Sequence, residues 1–400
     1  METSPTRNLS LLLHFLFFLS GIATVLIGQI LPILTAAFHL NDLEAGYFFP
    51  AQFSGSIAGT LITSWFAKRN RFRQAAIVGS LAMAAGILIL NLPSYYGCLY
   101  GFVLNGMGIG LTLPAVNMLV LEMNPLRGAS ALSVLNFCWG LGAIICKPFV
   151  DLTAARSDIL FTSMLLLVPL FISGLLLTVA AEPTSPEKHE PIREEVENSN
   201  LPIWTTSLAW AIALFNLVHV GFESGIGGWL TTYTERVEGA AVDHLFSPTF
   251  LYFLFFVAGR GAAPLFFRVL SEDKLIFFNL GLMLTGSLVI LTAEGLTALA
   301  IGSSIAGFGA SSVFPTNLSR FARVFGPSAT RRATPLFISG TLGAAAVTWF
   351  IGFLSNKAGA LRAGMFALLG CVLVLVALQI ALSLISARKH AKAASFSDNP

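Results

Sequence analysis

Twelve long apolar runs, each bounded by charge, Pro or Gly, constrain this chain more than any other feature. A transmembrane helix needs roughly 20 mainly apolar residues. A soluble globule could not hide the 55% hydrophobic content or the mean hydropathy of +0.79 from water. We therefore expect an all-α membrane protein with twelve transmembrane helices. The runs lie approximately at residues 9–38, 43–67, 74–92, 96–122, 128–150, 157–180, 203–233, 246–268, 274–292, 295–323, 331–354 and 362–387.

The first run is too long for the apolar core of a signal peptide, which covers about 7–15 residues, so we expect a retained span. All four cysteines lie inside apolar runs, where a small apolar residue is the usual role, and they form no CxxC pair. The sequence predicts no disulfide framework, no metal and no cofactor. These cysteines are Cys98, Cys138, Cys146 and Cys371.

Basic residues define the orientation, because cytoplasmic loops carry an excess of Lys and Arg. With the N-terminus in the cytoplasm, most of the 23 Lys and Arg residues fall on the inner side, which predicts that both termini are cytoplasmic. The net charge of +3 then reflects topology, and we expect no nucleic-acid partner. The inner residues are Arg7, Lys68, Arg69, Arg71, Arg73, Arg127, Lys188, Arg193, Arg268, Lys274, Arg320, Arg323, Arg331, Arg332, Arg388, Lys389 and Lys392.

A polar segment, EPTSPEKHEPIREEVENSN at 182–200, separates the sixth and seventh runs and is typical of a solvated cytoplasmic linker. It divides the chain into six-helix domains at 1–181 and 201–400. The two halves echo each other, with GMGIGLTLPAVN at Gly106–Asn117 in span four and GFGASSVFPTN at Gly307–Asn317 in span ten. Such an echo indicates an internal duplication and two pseudo-symmetric domains around a central cavity.

Span seven contains GFESGIGGWLTTY at 221–233, which places Glu223 deep inside an apolar run. An ionised side chain at the bilayer centre costs about 2.5–3.5 kcal/mol, and such residues usually mark a transport pathway. We therefore predict that Glu223 belongs to a substrate or ion site. The alternative is a structural carboxylate that pairs with Lys147 or His219.

The glycines of this stretch have two interpretations. Gly221 and Gly225 are spaced for a small-residue helix contact. Gly227 and Gly228 predict local unwinding, which would turn carbonyl groups toward a ligand. Those carbonyls, with the neighbouring carboxylate and Ser224, could hold Na⁺, whereas the carboxylate alone suffices for one proton. The coupling ion is therefore H⁺ or Na⁺.

Lys147 lies near the outer end of span five. A lysine near a span end reaches water at little cost, so pairing with Asp151 is the favoured interpretation. The alternative is an ion pair with Glu223 that forms or breaks between outward- and inward-facing states. Arg260 and Arg268, in the last part of span eight, are expected to anchor the cytoplasmic rim.

Several motifs together resemble the Major Facilitator Superfamily, in the branch of fucose permease and the sodium-dependent glucose transporters. They are LPILTAAF in span one, LTLPAVN in span four, LNFCWGLGA in span five, ESGIGGWLTTY in span seven, GRGAAPLFFR in span eight and VFPTN in span ten. Fucose permease has an Asp in span one where this chain has Gly28, so the resemblance assigns no coupling residue there.

The resemblance implies a secondary transporter that moves a monosaccharide by alternating access, with cation symport, in the plasma (inner) membrane. Its partners would be the sugar and the lipid bilayer, and we expect a monomer. Sugars require amide and carboxylate groups for hydroxyls and aromatic faces for the ring, although the same residues serve as interhelical contacts or interfacial aromatics. The predicted substrate-binding residues are Gln29, Gln52, Asn117, Asn136, Trp139, Asn216, Glu223, Trp229 and Tyr233.

Other functional classes fit less well. An intramembrane enzyme would need a nucleophile with a base or a metal cluster, and the sequence has no HExxH or GxxxxGK motif. A duplicated chain with polar groups at mid-membrane favours a carrier over a channel. The alternative function within transporters is export of drugs or other small metabolites.

Overall fold

The computed structural model describes residues 4–124, 128–154, 159–180, 203–239, 247–326 and 333–397. The regular structure within these ranges is helical. The α-helices are α1 (Ser4–Phe38), α2 (Asp42–Gly46), α3 (Phe48–Ala67), α4 (Phe72–Ile89), α5 (Tyr95–Met123), α6 (Gly128–Thr153), α7 (Leu160–Val179), α8 (Ser207–Glu238), α9 (Pro248–Phe266), α10 (Glu272–Thr292), α11 (Leu296–Ala310), α12 (Val313–Phe325), α13 (Thr334–Ala358) and α14 (Leu361–Ser397).

Within the described part, eleven helical segments are long and apolar enough to cross a membrane, with α11 and α12 counted as one span. The twelfth is α3, which has 20 residues but carries Gly, Ser, Thr and Gln among its apolar side chains. The predicted fold of twelve transmembrane helices in two six-helix domains is confirmed. The short α2 lies between the first two spans. The predicted linker at 182–200 lies outside the described residues.

Small residues set how closely the helices pack. A Cβ atom on Gly55 would lie 2.0 Å from the carbonyl oxygen of Val103, and one on Gly59 would lie 2.2 Å from that of Met107. Only glycine therefore lets α3 approach α5 this closely, as small-residue contacts do in membranes. Contacts of this kind replace the hydrophobic effect, which does not drive helices together in lipid.

The duplication is visible in equivalent contacts of the two halves. A Cβ on Gly106 of α5 would lie 1.8 Å from the carbonyl oxygen of Gln52, and one on Gly307 of α11 would lie 2.3 Å from that of Tyr252. Span four thus packs on span two as span ten packs on span eight. One difference stands out, since α5 is continuous while span ten divides into α11 and α12 at Ser311 and Ser312.

Polar contacts join the halves at the end of the molecule where α1 stops, which we call the α2 end. The Asp42 carboxylate of α2 accepts hydrogen bonds from Arg236 Nη1 at 2.7 Å and from the Ser355 hydroxyl, and we call this the Asp42 clasp. Farther inside, the Thr231 hydroxyl donates to Gln29 Oε1 at 2.8 Å. The two domains are therefore closed against each other at the α2 end.

Helix α8 is continuous from Ser207 to Glu238, so the predicted unwinding at Gly227 and Gly228 is wrong. These glycines instead permit a backbone contact between the halves. A Cβ on Gly28 of α1 would lie 2.4 Å from the Gly227 carbonyl oxygen and 2.8 Å from the Gly228 Cα. The glycine pair is a crossing point of α1 and α8.

Candidate functional site

A cavity of about 110 Å³ lies between the halves beside this crossing point. Helices α1, α3 and α6 form its wall on one side, and α8 and α9 form it on the other. Most of the lining is aromatic or aliphatic. The lining residues are Thr24, Val25, Ile27, Gly28, Phe49, Phe53, Trp139, Glu223, Ser224, Gly227, Gly228, Tyr252, Phe253 and Phe256.

Glu223 is the carboxylate of the cavity, and three polar neighbours surround it. His219 Nε2, one turn earlier on α8, lies 3.0 Å from Glu223 Oε1, and Arg260 Nη2 on α9 lies 3.8 Å from the same oxygen. The Tyr252 hydroxyl donates to the Glu223 backbone carbonyl at 3.4 Å. The His219 contact lacks hydrogen-bond geometry, so Oε1 has no hydrogen-bond partner. The carboxylate is compensated by charge and is still able to accept a hydrogen bond.

Arg260 is held in place by two further contacts. Its Nε donates to the Ser311 carbonyl at 3.1 Å, and its guanidinium lies 4.1 Å from the centre of the Phe256 ring. Ser311 is the C-terminal cap of α11, where carbonyls lack intrahelical partners. The break between α11 and α12 therefore supplies the acceptor that directs Arg260 toward Glu223.

Trp139 of α6 faces Glu223 across the cavity. The indole is half-buried, and its Nε1 is buried without a hydrogen-bond partner. The two predicted asparagines, Asn136 on α6 and Asn117 on α5, have different surroundings. Asn136 is exposed and donates to the Leu132 carbonyl of its own helix at 2.8 Å, while Asn117 is half-buried with an unpartnered Oδ1. Neither asparagine lines the cavity, so the structure brings together only part of the predicted set.

Two predicted glutamines form contacts between helices. Gln29 Oε1 accepts the hydrogen bond from Thr231, although its Nε2 has no partner. Gln52 donates to the Thr24 carbonyl at 2.9 Å and accepts from Asn105 at 3.4 Å. Both side chains are buried outside the cavity lining.

The remaining predicted residues of span seven, Asn216, Trp229 and Tyr233, also lie outside the cavity lining. Asn216 Nδ2 and Trp229 Nε1 both donate to carbonyls of α13, at 2.8 and 2.9 Å. The Trp229 ring packs 5.8 Å from that of Phe49. The Tyr233 hydroxyl donates to the Ile290 carbonyl at 3.4 Å. These residues are buried where they stabilise packing at the α2 end and within the second domain.

Lys147 is paired with Asp151, one turn later on α6, as the favoured interpretation has it. Glu223 instead has the His219 imidazole and the Arg260 guanidinium as its neighbours. Arg260, which the sequence interpretation placed at the rim, is therefore a neighbour of Glu223 in the candidate site. A signal for it was present, because a guanidinium inside an apolar run is costly and needs a partner.

Comparisons with known proteins identify the family of the chain. The Major Facilitator Superfamily profile matches residues 13–338. The chain belongs to this superfamily. It is a membrane transporter and not an enzyme, and the predicted resemblance to the fucose permease and glucose transporter branch is confirmed.

Among curated relatives, the chain is 22% identical over 392 residues to the glucose/mannose transporter GlcP of Bacillus subtilis (strain 168), covering 91% of this chain and 92% of GlcP. It is 20% identical over 385 residues to the sodium-dependent glucose transporter 1A of Mus musculus, covering 84% and 87%. A higher identity of 34% to the uncharacterized transporter YcaD of Escherichia fergusonii extends over 87 residues, 22% of each chain.

Solved structures share the fold. A bacterial homologue of the human lysosomal transporter Spinster, in an inward-facing and unoccupied conformation, superposes with a TM-score of 0.80 at 14% identity, covering 96% of this chain and 98% of that one. The transporter FucP in the outward conformation superposes with a TM-score of 0.62 at 17% identity, covering 94% and 99%.

Proposed function

We propose that this protein moves a monosaccharide across the membrane by alternating access, coupled to protons. The observation that carries the proposal is that two residues of one aromatic cavity each have a polar atom without a hydrogen-bond partner. Glu223 Oε1 is an acceptor and Trp139 Nε1 is a donor, and both residues line the cavity. A sugar hydroxyl both donates and accepts, and the indole face suits the C–H side of a sugar ring.

Cavity size favours a small substrate. The volume is about 110 Å³, whereas pockets for drug-sized ligands are roughly 300 to 1,000 Å³. Sugar transport is also what the names of GlcP and glucose transporter 1A state for those proteins. Both lines of support favour monosaccharide transport over export of drugs.

The surroundings of Glu223 favour protons over sodium. A sodium ion needs several oxygen ligands, and the predicted source was an unwound stretch at Gly225–Gly228. Because α8 is continuous there, those carbonyls belong to the helix. Arg260 also lies 3.8 Å from the carboxylate and would repel a second cation. A proton needs only the carboxylate.

Alternating access would rock domains 1–181 and 201–400 about the crossing of α1 and α8. The structure is closed at the α2 end. With both termini in the cytoplasm of a plasma-membrane transporter, this is the inward-facing state. A monomer contains both walls of the cavity, so we propose the monomer as the transporting unit.

The test is uptake of labelled monosaccharides into liposomes that contain the purified protein. Imposed gradients of protons and of sodium are compared one at a time, with equal membrane potential. We expect accumulation of at least one hexose with the proton gradient and equilibration without it. Accumulation with sodium alone would overturn proton coupling. Absence of uptake for every sugar, with export of an organic cation, would overturn the substrate class.

A further inference from the structure

Arg260 and Glu223 are separated by a gap that is too long for a direct hydrogen bond. The distance from Arg260 Nη2 to Glu223 Oε1 is 3.8 Å, whereas a hydrogen bond to a carboxylate is about 2.7–2.9 Å. One hydroxyl oxygen can lie about 2.8 Å from both atoms. It would accept from the guanidinium and donate to the carboxylate.

The gap is maintained by groups other than Glu223. The Ser311 carbonyl and the Phe256 ring hold the guanidinium of Arg260, and Glu223 lies on the continuous helix α8. Arg260 keeps a side-chain exposure of 35%, although it lies next to the cavity lining and is not part of it. A donor and an acceptor fixed at this separation form a preorganised site for a hydroxyl.

We infer that Arg260 is a specificity-determining residue, which binds one ring hydroxyl of the substrate jointly with Glu223. The inference rests on the proposed monosaccharide transport.

The test combines variants with deoxy sugars in a binding cycle. The best hexose from the uptake panel and its singly deoxygenated analogues are measured against the parent and Arg260→Gln in detergent. Arg268→Gln is the matched control, since Arg268 is exposed just beyond the end of α9. We expect one deoxy analogue to bind the parent about 10-fold or more weakly than the full sugar. In Arg260→Gln that analogue and the full sugar should bind alike.

Persistence of the same discrimination in Arg260→Gln would overturn the inference and assign Arg260 to structure. If Arg260→Gln does not fold, Arg260→Lys is measured in the same cycle, because it retains the charge. Failure of both variants to fold would likewise overturn the inference. A parent that binds no monosaccharide contradicts the proposed function itself, which separates the two failures.

Discussion

The two halves of the molecule form equivalent contacts around the cavity, but the side chains at these contacts differ in charge. In the first half, the Gln52 amide donates to the Thr24 carbonyl at 2.9 Å. In the second, the Tyr252 hydroxyl donates to the Glu223 carbonyl at 3.4 Å. The same contact between neighbouring spans therefore presents a neutral hydroxyl in one half and a carboxylate in the other.

A second pair of contacts shows the same contrast. The Thr60 hydroxyl lies 3.5 Å from the Gly110 carbonyl in the first half, and Arg260 Nε lies 3.1 Å from the Ser311 carbonyl in the second. Span four is an unbroken helix at Gly110, whereas span ten is broken at Ser311. At these two equivalent contacts the first half has neutral side chains, whereas the second half has Glu223 and Arg260. In the function we propose, sugar binding uses both walls of the cavity and coupling uses the wall that contains Glu223.

The largest expected effect comes from disrupting the contact that joins the halves. In Gly28→Val, the new Cβ would lie 2.4 Å from the Gly227 carbonyl oxygen, so the α2 end could not close. We expect transport to fall at least 100-fold. Spin labels at Tyr47 and Lys357 should show a longer distance than in the parent.

Gly281→Val is the matched control for this prediction, because a Cβ built there has no atom of another helix within 4 Å. It should transport normally and keep the parent label distance. Normal transport by Gly28→Val would show that α1 and α8 need not approach so closely in the cycle.

The next prediction tests whether the carboxylate of Glu223 must lie in the second half. Glu223→Gln keeps the shape and hydrogen bonds of the side chain but cannot titrate, so accumulation should be lost while sugar exchange persists. Adding Thr24→Glu moves a carboxylate to the equivalent position of the first half. We expect no rescue, because Thr60 stands where the second half has Arg260.

Uptake driven by a proton gradient, with exchange measured separately, provides the readout. Glu238→Gln is the control, since Glu238 is exposed at the end of the same helix. Recovered accumulation in the double variant would mean that the position of the carboxylate is interchangeable, and the contrast between the halves would lose its functional meaning.

A smaller effect is expected when either of the two equivalent hydrogen bonds, from Gln52 or from Tyr252, is removed. Gln52→Leu removes a 2.9 Å bond and leaves Asn105 with one acceptor fewer, which costs about 1–3 kcal/mol. Tyr252→Phe removes a 3.4 Å bond and costs about 0.5 kcal/mol. Thermal unfolding in detergent should therefore show the larger loss for Gln52→Leu. The reverse order would contradict the contacts that define the comparison.

The sequence alone indicated Glu223 in the second half, because a lone carboxylate in a long apolar run is conspicuous. It also found the fold, since span lengths, the linker and the echo between spans four and ten are local properties. It did not find the pairing of Glu223 with Arg260. That pairing depends on how α8 and α9 pack and on a break in α11–α12, which no local pattern indicates.

The glycines and amides mark a second limit. Adjacent glycines weaken a helix and also permit close packing, and the unwinding predicted at Gly227 and Gly228 missed their close contact with α1. An amide such as Gln52 or Asn216 serves equally as a ligand for a sugar or as an interhelical hydrogen bond. Only the position of neighbouring carbonyls decides between them.

The smallest effect concerns the Asp42 clasp, which belongs to the first half and reaches across to the second. Burial raises the pKa of the Asp42 carboxyl, but hydrogen bonds from Arg236 and Ser355 outweigh it and leave the pKa below its ordinary value of 3.8. A carboxyl with a lowered pKa stabilises the clasped state fully above the unclasped pKa. That stabilisation is lost as pH falls through the clasped pKa.

We therefore expect the distance between labels at Tyr47 and Lys357 to stay constant from pH 7 down to the ordinary range of a carboxyl, and to lengthen only below it. Asp42→Asn cannot titrate, so its distance should be longer at neutral pH and should not respond to acid through this group. Because the clasp is one of several contacts at the α2 end, the neutral-pH shift should be smaller than that of Gly28→Val. A parent whose labels separate between pH 7 and pH 5 would show that another group controls closure.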